Sequence, residues 1–150
     1  MTKVSSGSCP WLDVASEEHG TAEVQGGENQ RILEYFRSTR YHAKEDEVPW
    51  CAAFVCWCLE QAKMENPSTA RSRDFLDYGV ELDGWRPGCI AVLWRGSPTA
   101  TTGHVGFVVE SIGDQVVLLG GNQGNRVDLA IYPKTQVLSY RWPILPESTS

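Results

Sequence analysis

Five cysteines and three histidines are the side chains in this sequence best suited to covalent or metal chemistry, and three of the cysteines crowd into one stretch, EVPWCAAFVCWCLEQA, residues 47–62. As a helix turning a hundred degrees per residue, this stretch puts Cys51, Val55, Cys58, Leu59 and Ala62 on one apolar stripe and leaves Cys56 off it, beside Glu60 and Lys63. The three thiols therefore do not converge. A structural zinc site needs four ligands in a tetrahedron, commonly from knuckles on turns, and one helix with this spacing offers two on a face at best. Cys56 and Cys58 read as small packing residues. Cys51 differs by position, because Pro49 suits a first helical turn, where its missing N–H costs nothing. That places Cys51 at a helix N-terminus, where the dipole and free N–H groups favour a thiolate and hence a nucleophile.

A cysteine nucleophile needs a base. His19 closes a helical pattern before Gly20 and His42 lies in a polar stretch, so both read as structural or solvated. His104 opens the apolar run GHVGFVVE behind the turn-like SPTATTG. A strand start is a place from which an imidazole can face a cleft, although a water-exposed strand-end histidine is the plain alternative.

The elements that must position these residues follow from the apolar pattern. A length of 150 residues with 41% hydrophobic content suits one core, so a single domain over 1–150 is expected, with its body at about 10–143 and loose tails. Pro10 and Trp11 open a first helix that stops at Gly20, and ENQRILEYFRSTR forms a second, turning Ile32, Leu33, Tyr35 and Phe36 inward. Beyond Trp85 the texture changes to short apolar runs, CIAVLWRG, HVGFVVES, QVVLLGG and VLSYRWPI, punctuated by turn residues. Helices followed by antiparallel strands predict an α+β fold with the helices packed on the sheet.

The net charge of −6 leaves no basic face for a phosphate backbone, so nucleic acid is not an expected partner. The opening residues contain neither a signal peptide nor a membrane span, which predicts synthesis in the cytoplasm with reduced thiols. The acidic run Glu45, Asp46, Glu47 lacks the spaced oxygen pattern of a calcium loop, and no cofactor or metal is expected.

Several ordered motifs, VPWCAAFVCWCLEQA, GHVGFVVE, LLGGNQGN and the closing YRWP, together resemble a group of small bacterial and phage proteins related to CHAP and NlpC-like peptidoglycan hydrolases. The resemblance runs from about Pro10 to Pro143 and implies a papain-like fold, with Cys51 as nucleophile and His104 as general base. The third group is then expected near the end of the hairpin that His104 opens. A three-residue loop in ESIGDQ sets His104 opposite Asn122, the residue taken here to orient the imidazole, whereas a two-residue Gly-Asp turn would oppose it to Gln123. Many CHAP proteins show a Glu shortly before that Asn, and Gly120 stands at the corresponding place. NlpC-like members often use another histidine, and none follows His104. Cys89 replaces the acid of the more usual Pro-Gly-Asp and reads as core. Trp50, adjacent to the proposed chemistry, and Gln123 are expected to contact substrate.

The resemblance implies a cysteine amidohydrolase or peptidase that cuts an amide bond in peptidoglycan, either between muramic acid and peptide or within the peptide. Acting at the cell wall without an export signal requires delivery as a phage lysin or by a secretion apparatus, the latter with an immunity protein as partner. The alternatives are a papain-like binding protein without catalysis and an acyltransferase using the same dyad.

Overall fold

The computed structural model describes residues 9–22, 30–37, 50–99, 103–123 and 126–145. His42, Pro49 and the acidic run Glu45 to Glu47 lie outside them.

The cysteine-rich stretch forms the central helix, α3 (Cys51–Gln61), with Trp50 as its N-cap. Every side chain from Cys51 to Leu59 is buried. The amphipathic stripe read from the sequence is thus corrected: a helix apolar all round is enclosed on every side. Cys56, placed off the apolar stripe but read as a packing residue, is buried, its thiol donating to the Thr69 carbonyl at 3.4 Å. Around α3 pack α1 (Pro10–Glu17), α2 (Gln30–Phe36) and the sheet. Pro10 starts α1 in the first turn, and Gly20 ends its connection at a φ of 98°. Helix α2 buries Ile32, Tyr35 and Phe36, leaving Leu33 half-buried.

The sheet has six strands among the described residues: β1 (Val80–Leu82), β2 (Ile90–Trp94), β3 (Gly103–Ile112), β4 (Gln115–Gly120), β5 (Asp128–Pro133) and β6 (Val137–Trp142). Their spatial order is β1-β6-β2-β3-β4-β5, and every neighbouring pair is antiparallel. Strand alternation divides the apolar residues into two clusters. Ile90, Val92, Val105, Phe107 and Leu119 join the helices, while Cys89, Ala91, Leu93, Val108, Val116 and Leu118 form a second core. This double burial explains why β2 to β4 read as continuous apolar runs rather than alternating ones. The architecture is α+β, with N-terminal helices packed on an antiparallel sheet. Among the described residues no helix is long and apolar enough to cross a membrane.

Candidate active site

Backbone pairing inside α3 starts with the Phe54 N–H donating to the Trp50 carbonyl at 2.9 Å, so Cys51 occupies the first helical position. The N–H groups of that first turn have no helical partner. Strand β3 brings His104 to this point: its partner in β2 is Leu93, and its imidazole is 1% exposed. The imidazole lies close enough to the Cys51 thiol to act on it by charge and hydrogen bonding, and Ser72 Oγ lies 3.2 Å from Sγ. Ser72 opens a 3-10 turn, Ser72–Asp77, behind a segment braced by Thr69 Oγ1 donating to Asp74 Oδ2 at 2.5 Å.

These neighbours set the ionisation of Cys51. Burial raises the thiol, but the facing His104, by charge and hydrogen bond, and further hydrogen bonds from Ser72 and the Val105 backbone bring it down to about 7. The other buried thiols go the opposite way: burial pushes Cys56 up to about 12, Cys89 up to about 11 and Cys58 well above the ordinary value. Among the buried thiols, only at Cys51 do the partners that favour the anion outweigh burial. Since the reactive form is the deprotonated one, alkylation of Cys51 by iodoacetamide should rise as pH passes through about 7 and level off near pH 8. A reference thiol such as glutathione should still be accelerating there. Rate constants measured from pH 5 to 10 by mass spectrometry of the alkylated peptide check this.

The far side of the imidazole is held by Gln123, not by Asn122. Gln123 Nε2 donates to the carbonyls of Asp128 at 2.7 Å and Leu118 at 3.1 Å, which fixes the amide with Oε1 toward His104 Nε2 at 2.8 Å. Oε1 accepts only, so the neutral imidazole carries its proton on Nε2 and leaves Nδ1 free of hydrogen. Tyr132 of β5 completes the enclosure, its ring 5.3 Å from the imidazole and its hydroxyl donating to Gln123 Oε1 at 3.3 Å.

The hairpin explains why Gln123 takes this place. It closes on the two-residue Gly113-Asp114 turn, with Ile112 opposite Gln115, rather than on a three-residue loop. A bulge at Val109 then shifts the register, so that Phe107 faces Leu119, and continued to the strand start this alignment reaches Asn122. Asn122 spends that position on a bend: its φ is 59°, the left-handed region that asparagine tolerates, and the bend turns Gln123 inward. A Cβ on Gly120 would lie 2.9 Å from Gln123 Oε1, so the bare glycine leaves the space that the glutamine fills.

Trp50 is core rather than a substrate contact. It is fully buried and stacked on Tyr35, with ring centroids 5.7 Å apart, so no face of it is open to a ligand. Gln123, likewise expected at the substrate, spends both ends of its amide on the protein. Ser72, Arg95 and Tyr132 are the site residues that the sequence reading missed. Only Tyr132 carried a signal, the alternation in DLAIYP that marks an edge strand. Cys89 lies in the second core, and His19 Nε2 meets Asp128 Oδ1 at 2.8 Å on the surface. Among the described residues no three His, Cys, Asp or Glu side chains are grouped to hold a metal.

The CHAP domain model matches residues 43–122, just over half of the chain, and spans Cys51, His104 and Asn122. The chain belongs to the CHAP family. Among solved structures, this CHAP chain is similar to a lipoprotein-like member of the NLP/P60 family from Staphylococcus aureus subsp. aureus Mu50, with a TM-score of 0.54 and 14% identity over 92% of the present chain. The match takes in 41% of that protein, so the CHAP chain spans about two fifths of its length. At this identity the likeness establishes the papain-like, NlpC-type fold. No curated protein matches the CHAP chain.

Proposed function

We propose that this CHAP domain hydrolyses an amide bond in peptidoglycan, with Cys51 as nucleophile, His104 as proton carrier and Gln123 as the residue that orients the imidazole. The CHAP/NlpC-like family is one of peptidoglycan amidases and peptidases, and the substrate class rests on that membership. The observation that carries the reading is the ordered line from Cys51 through His104 to the doubly anchored Gln123. A binding protein that had lost catalysis would have no use for one thiol held near 7 among neighbours pushed to 11 and above.

The thiolate of Cys51 attacks the scissile carbonyl carbon, and the displaced electron pair moves onto oxygen, where the N–H groups of the first turn of α3, which have no helical partner, favour it. Collapse of this adduct breaks the C–N bond, and the amine leaves with the proton from His104 Nδ1. A water molecule then adds to the thioester, giving one proton to Nδ1, and the acid departs as the Cys51 thiolate returns. Gln123 accepts from Nε2–H throughout, which keeps Nδ1 as the nitrogen that faces the chemistry. We take the region from about Pro10 to Pro143 to act as one catalytic unit.

Peptidoglycan lies outside the cytoplasmic membrane, so this reading places the domain there after delivery as a phage lysin or through a secretion apparatus. In the second case an immunity protein is the expected partner. Expression in the bacterial cytosol should be harmless, whereas the same chain carrying a periplasmic signal should round and lyse the cells, and its Cys51→Ala version should not. Turbidity and microscopy of the induced cultures test this. Equal toxicity from both compartments would point to an intracellular substrate and end the peptidoglycan assignment.

A further inference from the structure

One cation stands at the nitrogen that moves the proton. Arg95 follows the last residue of β2, is exposed, and directs Nη2 toward His104 Nδ1 at 3.4 Å. Its surroundings hold it in place. Arg73 donates through Nη1 to the Pro98 carbonyl at 2.8 Å and through Nη2 to the Ser97 carbonyl at 3.0 Å, fastening the turn that follows Arg95. Arg73 in turn follows Ser72, whose hydroxyl touches Cys51 Sγ, so cation and nucleophile are tied together by a short path of contacts. The chain as a whole is acidic, with a net charge of −6, so this guanidinium is a local feature and not part of a broad basic surface.

The contact with Nδ1 suits only the neutral imidazole. Once Nδ1 holds a proton, both partners are cationic and both are donors, so the guanidinium gives up this contact, keeps the one it makes with the Tyr132 side chain, and has N–H groups to offer an anion. A carboxylate matches its fork of N–H groups with two parallel hydrogen bonds. We infer that Arg95 is a specificity-determining residue that reads a carboxylate on the peptide beside the scissile amide, leaving Nδ1 as the anionic substrate enters. This rests on the assignment of Cys51 and His104 as the reacting pair. The preferred substrates are acidic peptides with that carboxylate free, and amidation of the same group weakens them.

Iodoacetate and iodoacetamide are a matched pair of probes for this, since both alkylate a thiolate with loss of iodide and only the first carries a carboxylate. The ratio of their rate constants at Cys51 is measured at pH 8 by mass spectrometry of the alkylated peptide, in the wild type, Arg95→Gln and Arg95→Lys. The preference for iodoacetate should fall about two- to fivefold in Arg95→Gln, the size expected for one exposed charge pair, and should fall less in Arg95→Lys, which keeps the charge but loses the fork. An unchanged ratio in Arg95→Gln overturns the inference. So does an equal loss of both reactions, which would make Arg95 only a prop for His104. Peptidoglycan plays no part in the measurement, so a chain that failed to hydrolyse it would count against the proposed function while the ratio still decided the role of Arg95.

Discussion

Replacing Cys51 with alanine should reduce the release of soluble fragments from purified peptidoglycan by about 10⁴-fold or more, because no other buried thiol has a histidine acting on it. The fold should survive the change. Cys51 sits at the end of α3, and the Trp50 cap, the Tyr35 stack and the hydrogen bond from Phe54 N–H to the Trp50 carbonyl do not depend on its sulfur. Cys58→Ala makes the opposite comparison. Its thiol lies wholly inside the helical core, so truncation should cost about 1–2 kcal/mol of stability through lost packing and leave turnover near that of the wild type. Thermal melting and fragment release measured side by side separate the two effects.

The second large effect concerns the far side of the imidazole. His104→Ala should cost about 10³-fold in turnover, and Gln123→Ala about 10- to 100-fold, since an orienting group contributes less than the proton carrier it holds. Asn122→Gly should keep most of the activity, because glycine adopts the left-handed bend that is the contribution of Asn122. Gly120→Ala offers an independent check. Its added methyl group would crowd Gln123 Oε1, displace it from Nε2 and reproduce the Gln123→Ala defect with little change in melting temperature, because the end of a flexible side chain yields more readily than backbone. A crippled Asn122→Gly beside an unaffected Gln123→Ala would reverse the assignment of the orienting residue.

These contrasts show which parts of the molecule were legible in its sequence. The order of helices before strands was legible because α1 and α2 carry a helical apolar period while α3 and β2 to β4 bury continuous apolar runs, and the special position of Cys51 was legible from the proline before it. The identity of the orienting residue was not. It depends on a bulge at Val109 that realigns the hairpin between its turn and its open end, and on a left-handed residue just beyond the strand. A one-residue shift of register exchanges the two candidates, and no local pattern announces where a bulge falls. Trp50 was misplaced for a related reason. Its sequence neighbour is the nucleophile, but its indole is fully buried in the stack with Tyr35. Strands β1 and β5 escaped notice as edges. The first has only three residues, and the second turns Leu129 and Ile131 outward. Arg95 and Ser72 reach the site from a turn and a short 3-10 segment, whose side-chain directions are fixed by tertiary contacts rather than by periodicity.

The most direct test of amide hydrolysis through Cys51 is mass spectrometry of the fragments released from purified peptidoglycan in water enriched with heavy oxygen. The mechanism predicts peptide fragments with a newly formed carboxyl group that carries one heavy oxygen atom, matched by a free amine on the other product, and neither from Cys51→Ala. Fragments produced by cleavage within the glycan strand with all amides intact, or labelled fragments released equally by Cys51→Ala, would contradict it.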